Sequence, residues 1–325
     1  MTGNLLLGID GGGSKVVVAL ADRNGQVVRV TRGGGVNPMD NRKWREELDA
    51  ELAHFRDEPG LAAVGAALPA HGEVDYLSQS QREAIADAFP GVPQTVINDV
   101  DAAHIGAFGG GPGLLILSGT GSMAWARDAA GASHRVGGWG DVIGDEGSSH
   151  WIGCRALNLV SQSLDGRAGP TAIVDAAFDY LGLDRSEPVN ALEGWVAGLG
   201  NLRAGVASLA VVVDRVAQDG DAAARSIIDA AADELAKHIA AIAGRCDPDA
   251  DWTYAGGSFA SRILLDAVTA RIGRPPVPPR LPPIGGALLT AAMTLGWPID
   301  TAFVEQLAVA THAAMADLKQ QEPTI

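Results

Sequence analysis

The chain has 325 residues, 47% hydrophobic and 19% charged, enough to bury a sizeable core and more than one compact domain usually needs. With 24 Lys and Arg against 39 Asp and Glu, its formal charge of −15 disfavours nucleic acid and anionic membrane surfaces as partners. Cys154 and Cys246 are too few for a disulfide framework or a four-cysteine cluster site, the opening Met1-Thr2-Gly3-Asn4 lacks a basic leader region, and no apolar run spans a bilayer, so a soluble cytoplasmic protein is expected.

The apolar run Leu5 to Ile9 breaks at Asp10-Gly11-Gly12-Gly13, and β-branched segments follow at Val16 to Asp22 and Gln26 to Val30, which predicts three strands joined by tight turns. Helical spacing covers Met39 to Phe55 and Ser78 to Phe89, with a strand at Leu61 to Leu68 between them. Thr95 to Ile97 is a further strand, which completes βββαβαβ and leads into Asn98-Asp99, and Ala102 to Phe108 after it can form a helix. The pattern restarts at Leu114 to Leu117, with strands at Met123 to Arg127 and His134 to Val136, and a second sheet implies a duplicated lobe. Helices are then expected at Glu146 to Ser163, Pro170 to Leu181, Leu202 to Gln218 and Ala222 to Ala243, followed by a strand at Trp252 to Ala255 and a helix to about Ile272. Pro275 to Pro283 holds six prolines in nine residues and reads as a rigid connector onto a helix at Gly285 to Leu295. These elements place an N-terminal lobe at 1–113, a C-terminal lobe at 114–298, and a final helix, Thr301 to Leu318, on a lobe left open.

Three glycine turns carry the chemical signal. In Asp10-Gly11-Gly12-Gly13-Ser14-Lys15, between two strands, the glycines free the backbone to aim N–H groups at phosphate oxygens, and the carboxylate at the strand end can hold Mg²⁺ through water. Ser14 precedes Lys15 and a strand follows, so this is no Walker A loop; with Val at 16 it does not complete G-x-G-x-x-G. Alone it equally describes an ordinary hairpin. The second turn, Ser118-Gly119-Thr120-Gly121-Ser122, adds hydroxyls able to donate to phosphate. One such hairpin per lobe, facing across a cleft, is expected to clamp a triphosphate. The third, Gly256-Gly257-Ser258, follows a strand and lets the chain approach a flat ring or ribose closely.

The order of these turns, with Asn98-Asp99 between them, resembles the sugar kinase, heat-shock chaperone and actin superfamily. Gly137-Gly138-Trp139-Gly140-Asp141-Val142-Ile143-Gly144-Asp145-Glu146-Gly147-Ser148 narrows the resemblance to the N-acetylglucosamine kinase branch of the BadF/BadG/BcrA/BcrD-type ATPases, over residues 5 to about 295. The resemblance implies an α/β, two-lobed actin-like ATPase fold with duplicated ribonuclease H-like βββαβαβα lobes. It also implies ATP and Mg²⁺ as cofactors, a homodimer as one assembly, and phosphorylation of an amino sugar's 6-hydroxyl. N-acetylglucosamine is first among the sugars, with glucosamine or N-acetylmuramic acid as alternatives, and a nucleotide-driven activator without a sugar substrate is the rival. Residue by residue, Asp99 matches the catalytic carboxylate, Asp10 the metal-associated aspartate, and Thr120 a threonine at the phosphate. Gly256, Gly257 and Ser258 match the adenosine loop, and Asn37, Gly138, Trp139 and Asp145 the sugar contacts.

Without the resemblance, Asp99 reads as a helix N-cap, Trp139 as core, and Asp145-Glu146 as a helix N-terminus. The chain departs from the family at Leu68-Pro69-Ala70-His71-Gly72-Glu73, where a small Gly/Ser-rich turn is usual. His71 and Glu73 there either alter sugar preference or belong to a surface loop. Neither cysteine sits in a cluster-binding pattern of the activator branch.

Overall fold

The computed structural model describes residues 3–13, 15–247 and 249–320, and it divides into two compact units: Met1–Gly113 with Pro278–Ile325, and Leu114–Val277. Up to Phe108 the order is β1 (Leu5–Gly11), β2 (Val16–Asp22), β3 (Val27–Gly33), α1 (Trp44–Leu52), β4 (Leu61–Leu68), α2 (Asp75–Ala88), β5 (Gln94–Asn98) and α3 (Asp99–Phe108). This is the full βββαβαβα pattern. Leu114–Val277 holds most of β6 (Gly113–Ser118), then β7 (Ser122–Arg127), β8 (Ser133–Gly137), α4 (Ser149–Leu164), α5 (Ala172–Leu181), α6 (Pro188–Gly198), α7 (Leu202–Ala207), α8 (Ala210–Gln218), α9 (Ala222–Ala243), β9 (Trp252–Ala255) and α10 (Arg262–Ile272). The chain then returns to the first unit with α11 (Pro283–Thr294) and α12 (Thr301–Gln320).

In the first unit the strand order is β3-β2-β1-β4-β5, with β1 antiparallel to β2 and parallel to β4. The alternation of side chains along each strand divides the core into two. Leu7, Ile9, Val16, Val18 and Leu20 face α1 and α2, packing on Leu48, Leu52, Phe55 and Ile85. Leu6, Val17, Ala19 and Ala21 face the other way, onto Ile105, Leu288 and Leu307 of α3, α11 and α12. In the second unit the order is β8-β7-β6-β9 and the core is mostly helical, with Val212, Ile228, Leu235 and Trp252 buried together. The duplication is therefore partial: α4 to α9 occupy the stretch where the first unit builds alternating strands and helices.

The expected boundary at 298 is corrected to 277/278. Within the proline segment, the Val277 N–H donates to Trp252 O at 2.8 Å and its carbonyl accepts from Thr253 Oγ1 at 2.7 Å, which fixes it to β9. Arg280 and Leu281 donate instead to the carbonyls of Ala107 and Gly106 at 3.0 and 3.1 Å, at the end of α3. α11 is apolar on all sides and almost wholly buried against β1, β4 and α3, as expected of a helix with no polar face.

Other differences are local. The helix expected from Met39 starts at Trp44, because Asn37 and Asn41 hold a turn: the Asn41 N–H donates to Asn37 O at 2.9 Å and Asn41 Nδ2 to Gly35 O at 2.7 Å. Leu202 to Gln218 is two helices rather than one, and α6, opened by Pro188 at its first turn, was not anticipated. No helix among the described residues is long and apolar enough to cross a membrane.

Candidate active site

The end of β1 and the start of α3 carry the first unit's acidic pair. α3 begins at Asp99 rather than Ala102 because Asn98, in extended conformation, caps it: Asn98 Oδ1 accepts from the Val100 N–H at 2.9 Å. Asp99 Oδ1 shares that donor at 3.0 Å. The capping expected of Asp99 thus falls mainly to Asn98, and Asp99 occupies the first helical position.

Asp10 and Asp99 are both half-buried and hold their protons well above the ordinary carboxyl range. Asp10 is raised to about 7 by burial and then by the charge of Asp99, with Lys15 opposing. Asp99 is raised to about 7 by burial, with Glu73 adding and the Val100 N–H opposing. Two carboxyls this close in energy to neutral solution suit a proton-accepting site.

Around Asp10 the hairpin closes through Gly12 N–H to Lys15 O at 2.8 Å, and the next loop is tied to it by Val36 N–H to Gly12 O at 3.0 Å. A Cβ on Gly11 would lie 2.7 Å from Val36 Cγ2 and press on the side chains of Leu68 and Pro69, whereas a Cβ on Gly13 meets nothing nearer than Asp40 Oδ2 at 3.9 Å. Ser14 lies outside the described residues. Asn37, on the tied loop, donates its side-chain amide to Asp40 Oδ2 at 2.6 Å and accepts from the Met39 N–H at 3.1 Å.

In the second unit the turn 118–122 is braced from beneath. Ser118 Oγ donates to Gly147 O at 3.0 Å and Ser122 Oγ to Glu146 O at 2.7 Å, and both serines are buried. These hydroxyls, expected at phosphate, are committed to the protein, a correction that leaves the exposed Thr120 as the hydroxyl at the tip. Gly119 O accepts from the Ser149 N–H at 2.8 Å and from Ser258 Oγ at 3.3 Å, and Ser258 Oγ also bonds Ser149 Oγ at 2.8 Å. Ser258 therefore links the third glycine turn to the second rather than presenting its hydroxyl outward.

Gly256 has φ +101°, and a Cβ there would fall 2.5 Å from the Ser118 carbonyl carbon, so this close approach requires glycine. Gly257 has open space where its Cβ would be, as a face that receives a flat ligand must.

Asp145 is 3% exposed and sits at φ +59°, unusual for a residue with a side chain. Its Oδ1 accepts from the Ser122 N–H at 3.1 Å and its Oδ2 from Arg203 Nη2. Reading Asp145 as a helix N-terminus is set aside, since Ser148 caps α4. Arg203, on α7, was missed in the sequence, and nothing local marks it 58 residues away. Gly138 precedes Trp139, whose ring is 69% exposed and so is no core residue. Arg135 Nη2 donates to the Gly138 carbonyl and the Gly138 N–H to Ser122 O, which roots the Trp139 loop on the second turn.

Each unit by itself offers an open glycine face, at Gly13 in the first and at Gly257 in the second, with room for part of a nucleotide such as ATP. Mg²⁺ fits through a less direct relation: no group of three His, Cys, Asp or Glu among the described residues forms a metal cage, whereas Mg²⁺ commonly binds one or two carboxylates, water and substrate phosphates. The half-buried Asp10 and Asp99, with the charge of Lys15 acting on Asp10, are the acidic pair such an ion would stabilise.

A strand-ended aspartate, a second acid at the next helix start, and glycine turns in both units define an α/β nucleotide-using protein. The chain belongs to the BadF/BadG/BcrA/BcrD ATPase family, whose model matches residues 7–291. It is 30% identical over 246 residues to the N-acetylmuramic acid/N-acetylglucosamine kinase of Clostridium acetobutylicum, covering 73% of this chain and 78% of that one. It is 27% identical over 188 residues to the glucosamine kinase GspK of Vibrio cholerae, covering 56% of this chain and 63% of that kinase. Among solved structures, a candidate N-acetylglucosamine kinase from Chromobacterium violaceum superposes with a TM-score of 0.74 at 26% identity, covering 89% of this chain and 99% of that one.

Proposed function

We propose that the chain is an ATP-dependent kinase of amino sugars that phosphorylates the 6-hydroxyl, with N-acetylglucosamine as the first candidate and glucosamine or N-acetylmuramic acid as alternatives. The observation that carries this reading is Asp99: a half-buried carboxyl at the first turn of α3, titrating about 7 beside Asp10, is poised to take a hydroxyl proton. Relatives named as kinases of three amino sugars support the acceptor class.

In the proposed reaction Asp99 accepts the proton of the sugar O6 as the O6–Pγ bond forms and the bond from Pγ to the β-phosphate oxygen breaks, releasing ADP. Mg²⁺, associated with Asp10 through water, would supply charge neutralisation at the phosphates. In the first unit the turn tip at Gly13 and Lys15, and in the second the tip at Thr120 and Gly121, would meet phosphate, the N–H groups of Gly12 and Gly119 being already given to Lys15 O and Gly121 O; Gly256 and Gly257 would meet the adenosine. Trp139 would cover an apolar sugar face.

Asp145 is proposed less as a free sugar ligand than as a carboxylate shared among Ser122, Arg203 and any sugar hydroxyl that reaches it. ADP release measured across a panel of hexosamines tests the reading: strong stimulation by an amino sugar supports a kinase, whereas hydrolysis indifferent to every sugar supports an activator-type ATPase. Trp139→Ala is expected to raise the amino-sugar KM about tenfold, the scale of one lost apolar ring contact. Because the ring is largely exposed, the melting temperature and the KM for ATP should hold.

A further inference from the structure

The loop between β4 and α2 is tied by a buried amide with no packing reason to be polar. Gln81 lies on the buried stripe of α2 with Leu77, Ala84, Ile85 and Ala88, where an apolar side chain would serve, and it is 0% exposed. Its Nε2 donates to Pro69 O at 2.8 Å and its Oε1 bonds His71 Nδ1 at 3.0 Å. A carbonyl only accepts, so Pro69 O sets the amide's orientation; the Gln81 oxygen then faces His71 and places that ring's proton on Nδ1. Between the two anchored residues, Ala70 is held at φ +62°, a conformation that a side chain other than glycine rarely adopts.

The tie continues to α3. The His71 carbonyl accepts from Asn98 Nδ2 at 3.0 Å, while Asn98 Oδ1 accepts from the Val100 N–H. One carboxamide in the core of α2 thus holds a strained loop, the loop holds the N-cap of α3, and the next residue is Asp99.

We propose that Gln81 is a positioning residue for Asp99, acting through Pro69, His71 and Asn98 to fix the first turn of α3 and hence the aim of the Asp99 carboxylate. The proposal rests on the reading of Asp99 as the proton acceptor. A misplacement of a catalytic group by about 1 Å, caused away from the chemistry, can cost about 100-fold in rate.

The test is a double-mutant cycle read in kcat. Gln81→Leu keeps the volume and removes both hydrogen bonds. Asn98→Ser keeps a capping oxygen for Val100 and removes only the donor to His71 O. Each should lower kcat about 10- to 100-fold with the KM for ATP within about twofold, and the double variant should be no more than about twofold worse than the poorer single, since both cut one relay. Losses that multiply, or a folded Gln81→Leu with kcat within twofold of the parent, would overturn the proposal. Should Gln81→Leu fail to fold, Asn98→Ser decides alone, because it leaves α2 untouched: parental kcat overturns the relay. Asp99→Asn in the same assay separates the two claims. If it is inactive while Gln81→Leu and Asn98→Ser are normal, the relay fails and the base stands; if it is active, the base reading itself fails.

Discussion

Replacing Asp99 by Asn is expected to lower kcat by about 10²- to 10⁴-fold, the usual contribution of a positioned general base, while the KM for the sugar changes by only a few-fold. The amide preserves shape and can still accept from the Val100 N–H, so neither the cap of α3 nor its packing gives the variant another reason to fail. The parent should show the matching pH dependence. Asp10 and Asp99 are raised from 3.8 to about 7, so in the free enzyme the acceptor is protonated below that value and kcat/KM should climb as pH rises through about 7, then level off. The same shifts act on stability with opposite sign to an ion-paired carboxylate. The folded state holds these protons more tightly than the unfolded chain, so without nucleotide or metal the pair's contribution is most favourable at low pH and is lost as pH rises from 3.8 through about 7.

Gly286→Ala is expected to destabilise the protein by about 3 kcal/mol or more, seen as a fall in the denaturation midpoint at unchanged m-value. Helix propensity predicts the reverse: alanine inside a helix gains about 1 kcal/mol over glycine. The close approach of two helices decides the sign. A Cβ at 286 would enter the van der Waals shell of the Ala102 carbonyl and lie 2.9 Å from Gly106 N, both backbone atoms of α3 that cannot rotate away. The same helix leaves no room over β4, where a Cβ on Gly65 would lie 2.6 Å from Ala291 N. Since α3 carries Asp99, surviving folded Gly286→Ala should also turn over more slowly. A variant as stable as the parent would show that α11 does not lie this close.

These glycines show what the sequence could not reveal. Gly65, Gly106 and Gly286 are unremarkable singly, and only their meeting in space draws α11 back to the first unit, which is why the stretch 278–298 was read as part of the second lobe. Strands were legible because β1, β2 and β4 are short continuous apolar runs, a local signal, whereas the helix expected from Ala102 begins three residues earlier because Asn98 caps it. The glycine turns were legible as turns, but the direction of a serine hydroxyl depends on what lies beneath it. For Ser118 and Ser122 that is the backbone at 146–147, far along the chain. Arg203 and Gln81 escaped notice for the same reason, since one is an arginine in an ordinary helix and the other a glutamine among charges, and each gains its meaning from partners brought by the fold.

A sugar kinase moves phosphate from ATP to a sugar oxygen rather than to water. Incubating the protein with ATP, Mg²⁺ and N-acetylglucosamine, glucosamine or N-acetylmuramic acid, and reading the products by phosphorus NMR, tests for that transfer directly. A phosphomonoester on the sugar's C6 oxygen is expected in one-to-one ratio with ADP, formed at least about 100-fold more slowly by Asp99→Asn; inorganic phosphate matching ADP with every sugar unmodified would rule a kinase out.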